Sequence, residues 1–142
     1  MKALLVACLL LTSLQAFGSN RESGGLRMAA SVYFVFSSFG SGIDRQTQNL
    51  LEELIDMDQE KGWIADVTEE HWGREGEVTY CLQYETNNLE AVTGSRDIIR
   101  GVALPIIDDG KVFRQERTAV FLGLNCGDLE NATRQDLTTY LD

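Results

Sequence analysis

Residues 31–58 carry the strongest constraint on the fold. An apolar run, SVYFVFSSF, passes into a Gly/Ser hinge, GSGID, and then into RQTQNLLEELIDMD. In an extended chain Val32, Phe34 and Phe36 share one side and Tyr33 and Val35 the other. A strand that is apolar on both sides belongs inside a sheet or beneath a helix layer. Gly40-Ser41-Gly42 ends the run. Ser41 and Asp44 have the spacing of a capping box, and Asp44 alone can serve as the N-cap, since either oxygen meets the orphan N–H groups of a first turn. Ile43, Thr47, Leu50, Leu51 and Leu54, with Met57 or Asp58, then recur at helical spacing, while Glu52, Glu53 and Asp56 turn outward. Lys61-Gly62 suits the end of such a helix. The stretch predicts a buried strand feeding an amphipathic helix.

The chain beyond it reads as material that covers this pair. Residues 63–72 (WIADVTEEHW) predict a strand with Trp63, Ala65 and Val67 on one face and Asp66, Thr68 and Glu70 on the other. Gly73 to Gly76 is a hairpin turn, and the next strand alternates clearly, with Val78, Tyr80, Leu82 and Tyr84 opposite Glu77, Thr79, Cys81 and Gln83. Residues 86–100 predict a weaker helix capped by Thr86, Asn87 or Asn88 and interrupted by Gly94-Ser95. Residues 102–107 read as a strand that Pro105 pushes to an edge, Asp109-Gly110 as a tight turn, and residues 112–124 as a returning strand. In the tail, Leu129, Ala132, Leu137 and Leu141 fall at loosely helical intervals.

The sum is an α+β domain in β-α-β-β-α-β-β order, an antiparallel sheet with one long helix and a weaker second one. Two β-then-α passages suggest a ferredoxin-like split β-α-β with a C-terminal extension. A cystatin-like arrangement, one long helix across a curved sheet, is the alternative.

The first eighteen residues lie outside that domain. Lys2 supplies a positive start, residues 3–14 an apolar stretch, and Ala16-Phe17-Gly18 the small residues that a signal peptidase reads. The stretch is about 12 residues, short of the roughly 20 that cross a bilayer as a helix. LVAC at 5–8 has the form of a lipobox, but only four residues precede it and the apolar run continues past Cys8. The expected organisation is a signal peptide at 1–18, a flexible polar leader at 19–29 and a single domain over 30–142. Export to a periplasm or to the cell exterior follows, with no membrane span in the mature protein.

The whole chain carries 12 basic and 22 acidic residues, a net charge of −10. Losing Lys2 makes the mature balance more acidic still. Such a balance argues against nucleic acid, whose phosphates need clustered Lys and Arg, and allows a protein partner or a cationic surface.

Candidate chemistry is sparse. Cys81 and Cys126 are the two cysteines left after export, and in an oxidising compartment they are expected to pair. His71 is the only histidine. Any His-based triad or two-His metal site within one chain must use it, and alternation puts Glu69 on the same strand face about 7 Å away. Asp56, Asp58 and Glu60 imitate the start of a calcium loop, which then fails at Lys61 and Val67, leaving a solvated acidic helix end. The glycines before the long helix lack the G-x-G-x-x-G spacing of a dinucleotide site. Asn131-Ala132-Thr133 is a glycosylation triplet that matters only in a eukaryotic secretory route.

Three functional expectations follow. The first is a small exported acidic binding or protein-interaction domain without catalytic activity, with Trp63, His71, Trp72, Tyr80 and Tyr84 on one hairpin as contact candidates. The second is a hydrolase or metal-binding protein centred on His71. The third is an inhibitor of an exported enzyme. No catalytic residue, metal ligand or cofactor is assigned.

Overall fold

The computed structural model describes residues 31–108 and 117–141. The expected signal peptide and leader, and the Asp109-Gly110 turn with the start of the strand after it, lie outside the described residues. Strand β1 (Ser31–Phe36) leads to helix α1 (Arg45–Glu60), then to the hairpin strands β2 (Ile64–Trp72) and β3 (Glu77–Tyr84). Helix α2 (Leu89–Asp108) follows, then β4 (Thr118–Gly123) and a two-residue β5 (Thr133–Arg134). Short 3-10 turns occupy Leu129–Asn131 and Leu137–Tyr140.

The strands form one antiparallel sheet in the order β2-β3-β1-β4-β5. The expected α+β fold and ferredoxin-like strand order are both present. β1 lies between β3 and β4, and two helices cover the sheet where a cystatin-like arrangement would have one.

The two sides of β1 explain its central place. Val32, Phe34 and Phe36 are sealed on the helix side with Leu51, Ile55, Val78, Leu82, Ile99, Val102 and Ile106. On the other side Tyr33 is 3% exposed, because the segment after β4 folds back over it. Its hydroxyl donates to the Asn125 carbonyl at 2.7 Å and accepts from the Asp128 N–H at 2.9 Å. Cys81 and Cys126 form a disulfide at the same place, with Cα atoms 5.7 Å apart.

Helix α1 starts where the sequence places it. Asp44 caps it, accepting from the Thr47 N–H at 3.2 Å and the Thr47 hydroxyl at 2.7 Å. Such a cap contributes about 1 kcal/mol. Of the pair left open at its far end, Asp58 is buried and Met57 exposed. The acidic helix end is therefore not wholly solvated: Asp58 accepts from the Tyr84 hydroxyl at 2.9 Å and from Lys61 Nζ at 3.2 Å.

Three expectations are corrected. Residues 102–107 continue α2 rather than forming a strand, and Pro105 sits within that helix. Val102, Ala103 and Ile106 bury at helical spacing, and that packing outweighs the missing N–H of one proline. The last two strands of the order are thus β4 and β5. The tail holds 3-10 turns and β5 rather than a regular helix. In β2 a bulge between Ile64 and Asp66 shifts the register, so Val67 faces the helices, Asp66 faces away, and Ala65 occupies the bulge.

Candidate functional site

The contact candidates on the hairpin separate into core and surface. Tyr80 and Tyr84 lie on the helix-facing side of β3, each 2% exposed, and anchor α1 to the sheet. The Tyr80 hydroxyl donates to Glu52 Oε1 at 2.6 Å and accepts from Gln48 Nε2 at 2.7 Å. Gln48 in turn accepts from Arg45 at 2.9 Å. Burial, with the Glu52 carboxylate next in effect, pushes the Tyr80 phenol up to about 12. Tyr84 is driven upward further by burial and then by Asp58. These are neutral hydrogen-bonding anchors, satisfied within the fold.

Trp63 lies partly buried against the core, its ring beneath Lys61 Nζ at 4.1 Å. Its other neighbour is Gly94 of α2, where an added Cβ would lie 2.8 Å from ring Cζ3 and nearer still to Cε3. The glycine that weakened the helix in the sequence is the notch that admits the indole.

His71 and Trp72 remain outside, on opposite faces of β2 near the turn. His71 Nε2 meets Glu69 Oε1 at 2.6 Å, with the two side chains 67% and 45% exposed. A pair so open to water contributes at most about 1 kcal/mol. The Trp72 indole donates to the Thr79 hydroxyl at 3.0 Å and is 42% exposed. Cys81, the thiol that a His71-centred reaction could have used, is bound in the disulfide. Among the described residues no group of three or more His, Cys, Asp or Glu converges as a metal site.

At the turn, the Ser38 hydroxyl lies between the Glu75 and Glu77 carboxylates. The Ser38 bond, followed by backbone N–H groups, holds the Glu77 carboxyl below its ordinary range. That fixes the turn end of the hairpin against the end of β1.

The feature that the aromatic pattern did not reveal is β2 itself. Its outer side has no strand partner among the described residues. From Ala65 to Trp72 every residue is exposed except the half-buried Val67. Asp66, Glu69 and Glu70 line it, with the exposed Glu52 of α1 beside Tyr80 on the same side as Glu69. The signal in the sequence is the run at 68–71 (TEEH), without an apolar residue on either face, which marks an edge strand more than a half-buried one.

Two of the shallow clefts formed by described residues lie elsewhere. One of about 160 Å³ is walled by β4 at Thr118–Val120 and by Arg134 to Thr138. The other, about 140 Å³, lies between Arg96 and Arg100 of α2 and Tyr140. Burial raises the Tyr140 phenol, and Arg96 opposes the shift. Compared with protein-family models, with curated proteins and with solved structures, the chain matches none.

Proposed function

We propose that the protein is an exported, acidic interaction domain that binds a cationic part of another protein along β2 and acts by binding rather than by catalysis. The observation that carries this reading is the nine-residue β2, without a strand partner along its outer side among the described residues and with Asp66, Glu69 and Glu70 exposed on it. A low-salt encounter with a basic partner is favoured by a field of this sign, and the net charge of −10 adds to it over a longer range. The Cys81–Cys126 bridge supports the exported part of the reading, since such bonds persist in oxidising compartments. A hairpin anchored at its turn end, with an edge that no described strand covers, makes a rigid contact strip.

The test is comparative capture from the native compartment. Wild-type protein and the Glu69→Lys/Glu70→Lys variant, both immobilised, are offered the same extract at low and at raised salt. A partner retained by wild type, released by salt and ignored by the reversed-charge variant supports the proposal. Equal retention by both proteins would place the contact elsewhere.

A further inference from the structure

The sheet's hydrogen-bond phase can be followed outward to β2. The Ser37 N–H donates to the Arg117 carbonyl at 2.8 Å, so the odd-numbered positions of β1 direct their main-chain groups toward β4. Val32, Phe34 and Phe36 therefore turn theirs toward β3, where they pair with Leu82, Tyr80 and Val78. Thr79, Cys81 and Gln83 are left to face β2, and their partners are Glu70, Thr68 and Asp66. By elimination, the N–H and C=O groups of Val67, Glu69 and His71 point away from the sheet.

That assignment has an independent support on the opposite flank. Gln135 N–H donates to the Val120 carbonyl at 2.8 Å, as the same alternation requires of an even-numbered residue in β4. The two flanks then differ sharply. β5 and the chain after it cover β4, whereas three successive outward residues of β2 present a ladder with no strand on it among the described residues.

We infer that β2 accepts an extended cationic segment of a partner protein as a sixth strand, paired through the main-chain groups of Val67, Glu69 and His71. This rests on the interaction reading above and specifies its mode. An added strand would lay one set of side chains beside Val67, Glu69 and His71 and the alternate set beside Thr68, Glu70 and Trp72. Glu69 and Glu70 fall on opposite faces at neighbouring positions. The fitting segment therefore carries two adjacent Lys or Arg residues, one for each face, flanked by β-formers that can lie against Val67 and Trp72. Charge also selects against a second copy of this chain, because pairing β2 with itself would bring Asp66, Glu69 and Glu70 against their own kind.

The experiment uses the ¹⁵N-labelled protein and a capped peptide, Thr-Val-Thr-Lys-Lys-Thr-Val-Thr. Three control peptides accompany it, one with Glu-Glu replacing Lys-Lys and two N-methylated at alternate residues, one along each edge. Strand addition predicts saturable shifts and slowed amide exchange at Val67, Glu69 and His71. It also predicts roughly tenfold weaker binding when the pairing edge is methylated, because main-chain hydrogen bonds are lost. The Glu-Glu peptide should not bind. Glu69→Pro, whose N–H lies outside the native ladder, should keep the fold and weaken binding beyond the effect of Glu69→Gln.

Equal binding by all methylated peptides would overturn strand addition while leaving charge-driven docking on β2 intact. Absence of saturable binding by the Lys-Lys peptide, or self-association of the protein through β2, would overturn it as well. Capture that fails to respond to Glu69→Lys/Glu70→Lys would instead remove the interaction reading beneath it.

Discussion

Replacing Gly94 by alanine sets two known effects against each other at one atom. In the interior of a helix the change from Gly to Ala stabilises by about 1 kcal/mol. Here the new methyl would sit 2.8 Å from Cζ3 of Trp63 and closer to Cε3, inside any normal carbon–carbon contact. The indole cannot simply swing clear, since Lys61 lies over its ring at 4.1 Å and the ring packs against the core. Overpacking of this kind costs about 1–3 kcal/mol. The steric cost exceeds the propensity gain, and Gly94→Ala is expected to lower stability by about 1 kcal/mol net. Trp63→Ala removes the obstacle, so in that background Gly94→Ala should raise stability by about 1 kcal/mol. The coupling between the two sites is then about 2 kcal/mol. Urea unfolding followed by far-ultraviolet circular dichroism, with all four members of the cycle compared at a common slope, measures each term. If Gly94→Ala stabilised the parent protein, or acted alike in both backgrounds, the notch would not be the reason for glycine at this position.

Three further outcomes are expected. The double change Cys81→Ser with Cys126→Ser should lower stability by about 4 kcal/mol, the chain-entropy value for a closed loop spanning 45 positions; a loss below about 1 kcal/mol in urea would contradict it. Tyr80 has a folded-state pKa raised from 10.0 to about 12, chiefly by burial. Its contribution is therefore complete below pH 10 and disappears as pH climbs to about 12, because the folded state then holds the proton more tightly than the unfolded. Tyr80→Phe should flatten the fall in stability over that window, and an unchanged profile would count against the assignment. Thr118 is 1% exposed, and its hydroxyl has no hydrogen-bond partner among the described residues. Thr118→Val should consequently raise the urea midpoint by an amount worth about 1 kcal/mol, and a drop would reveal a bond that the hydroxyl makes.

Much of the architecture was legible because local and global preferences agree over residues 31–60. The two-sided apolar strand, the Asp44 cap and the helical stripe specify a central β1 and a covering α1, and both form. The hairpin and the cysteine pair were legible for the same reason, one from alternation and turn glycines, the other from being the two cysteines beyond the expected signal peptide. Helix α2 was harder to read, since its glycine serves Trp63 and its proline is tolerated by tertiary packing. Neither cause is local. The contact candidates were read by residue type, which cannot separate an aromatic ring that stacks from one that anchors a helix. Tyr80 and Tyr84 are anchors because Gln48, Glu52 and Asp58 on α1 meet their hydroxyls, a relation between residues 26 to 32 positions apart. The open side of β2 depends on strand order, which appears only when the sheet is assembled.

The bridge between Cys81 and Cys126 has a bearing on what happens when the chain is cut. Every peptide bond from Leu82 to Asn125 lies inside the covalent loop, including all of α2, the segment joining it to β4, and β4 itself. A protease that nicks any of these leaves both fragments tied across the sheet, one carrying β1 to β3 and the other the end of the chain. Such a molecule would migrate as one species until reduced and could still present β2, which sits wholly on the uncut side. Cleavage within the loop would thus damage the fold without shedding its exposed edge.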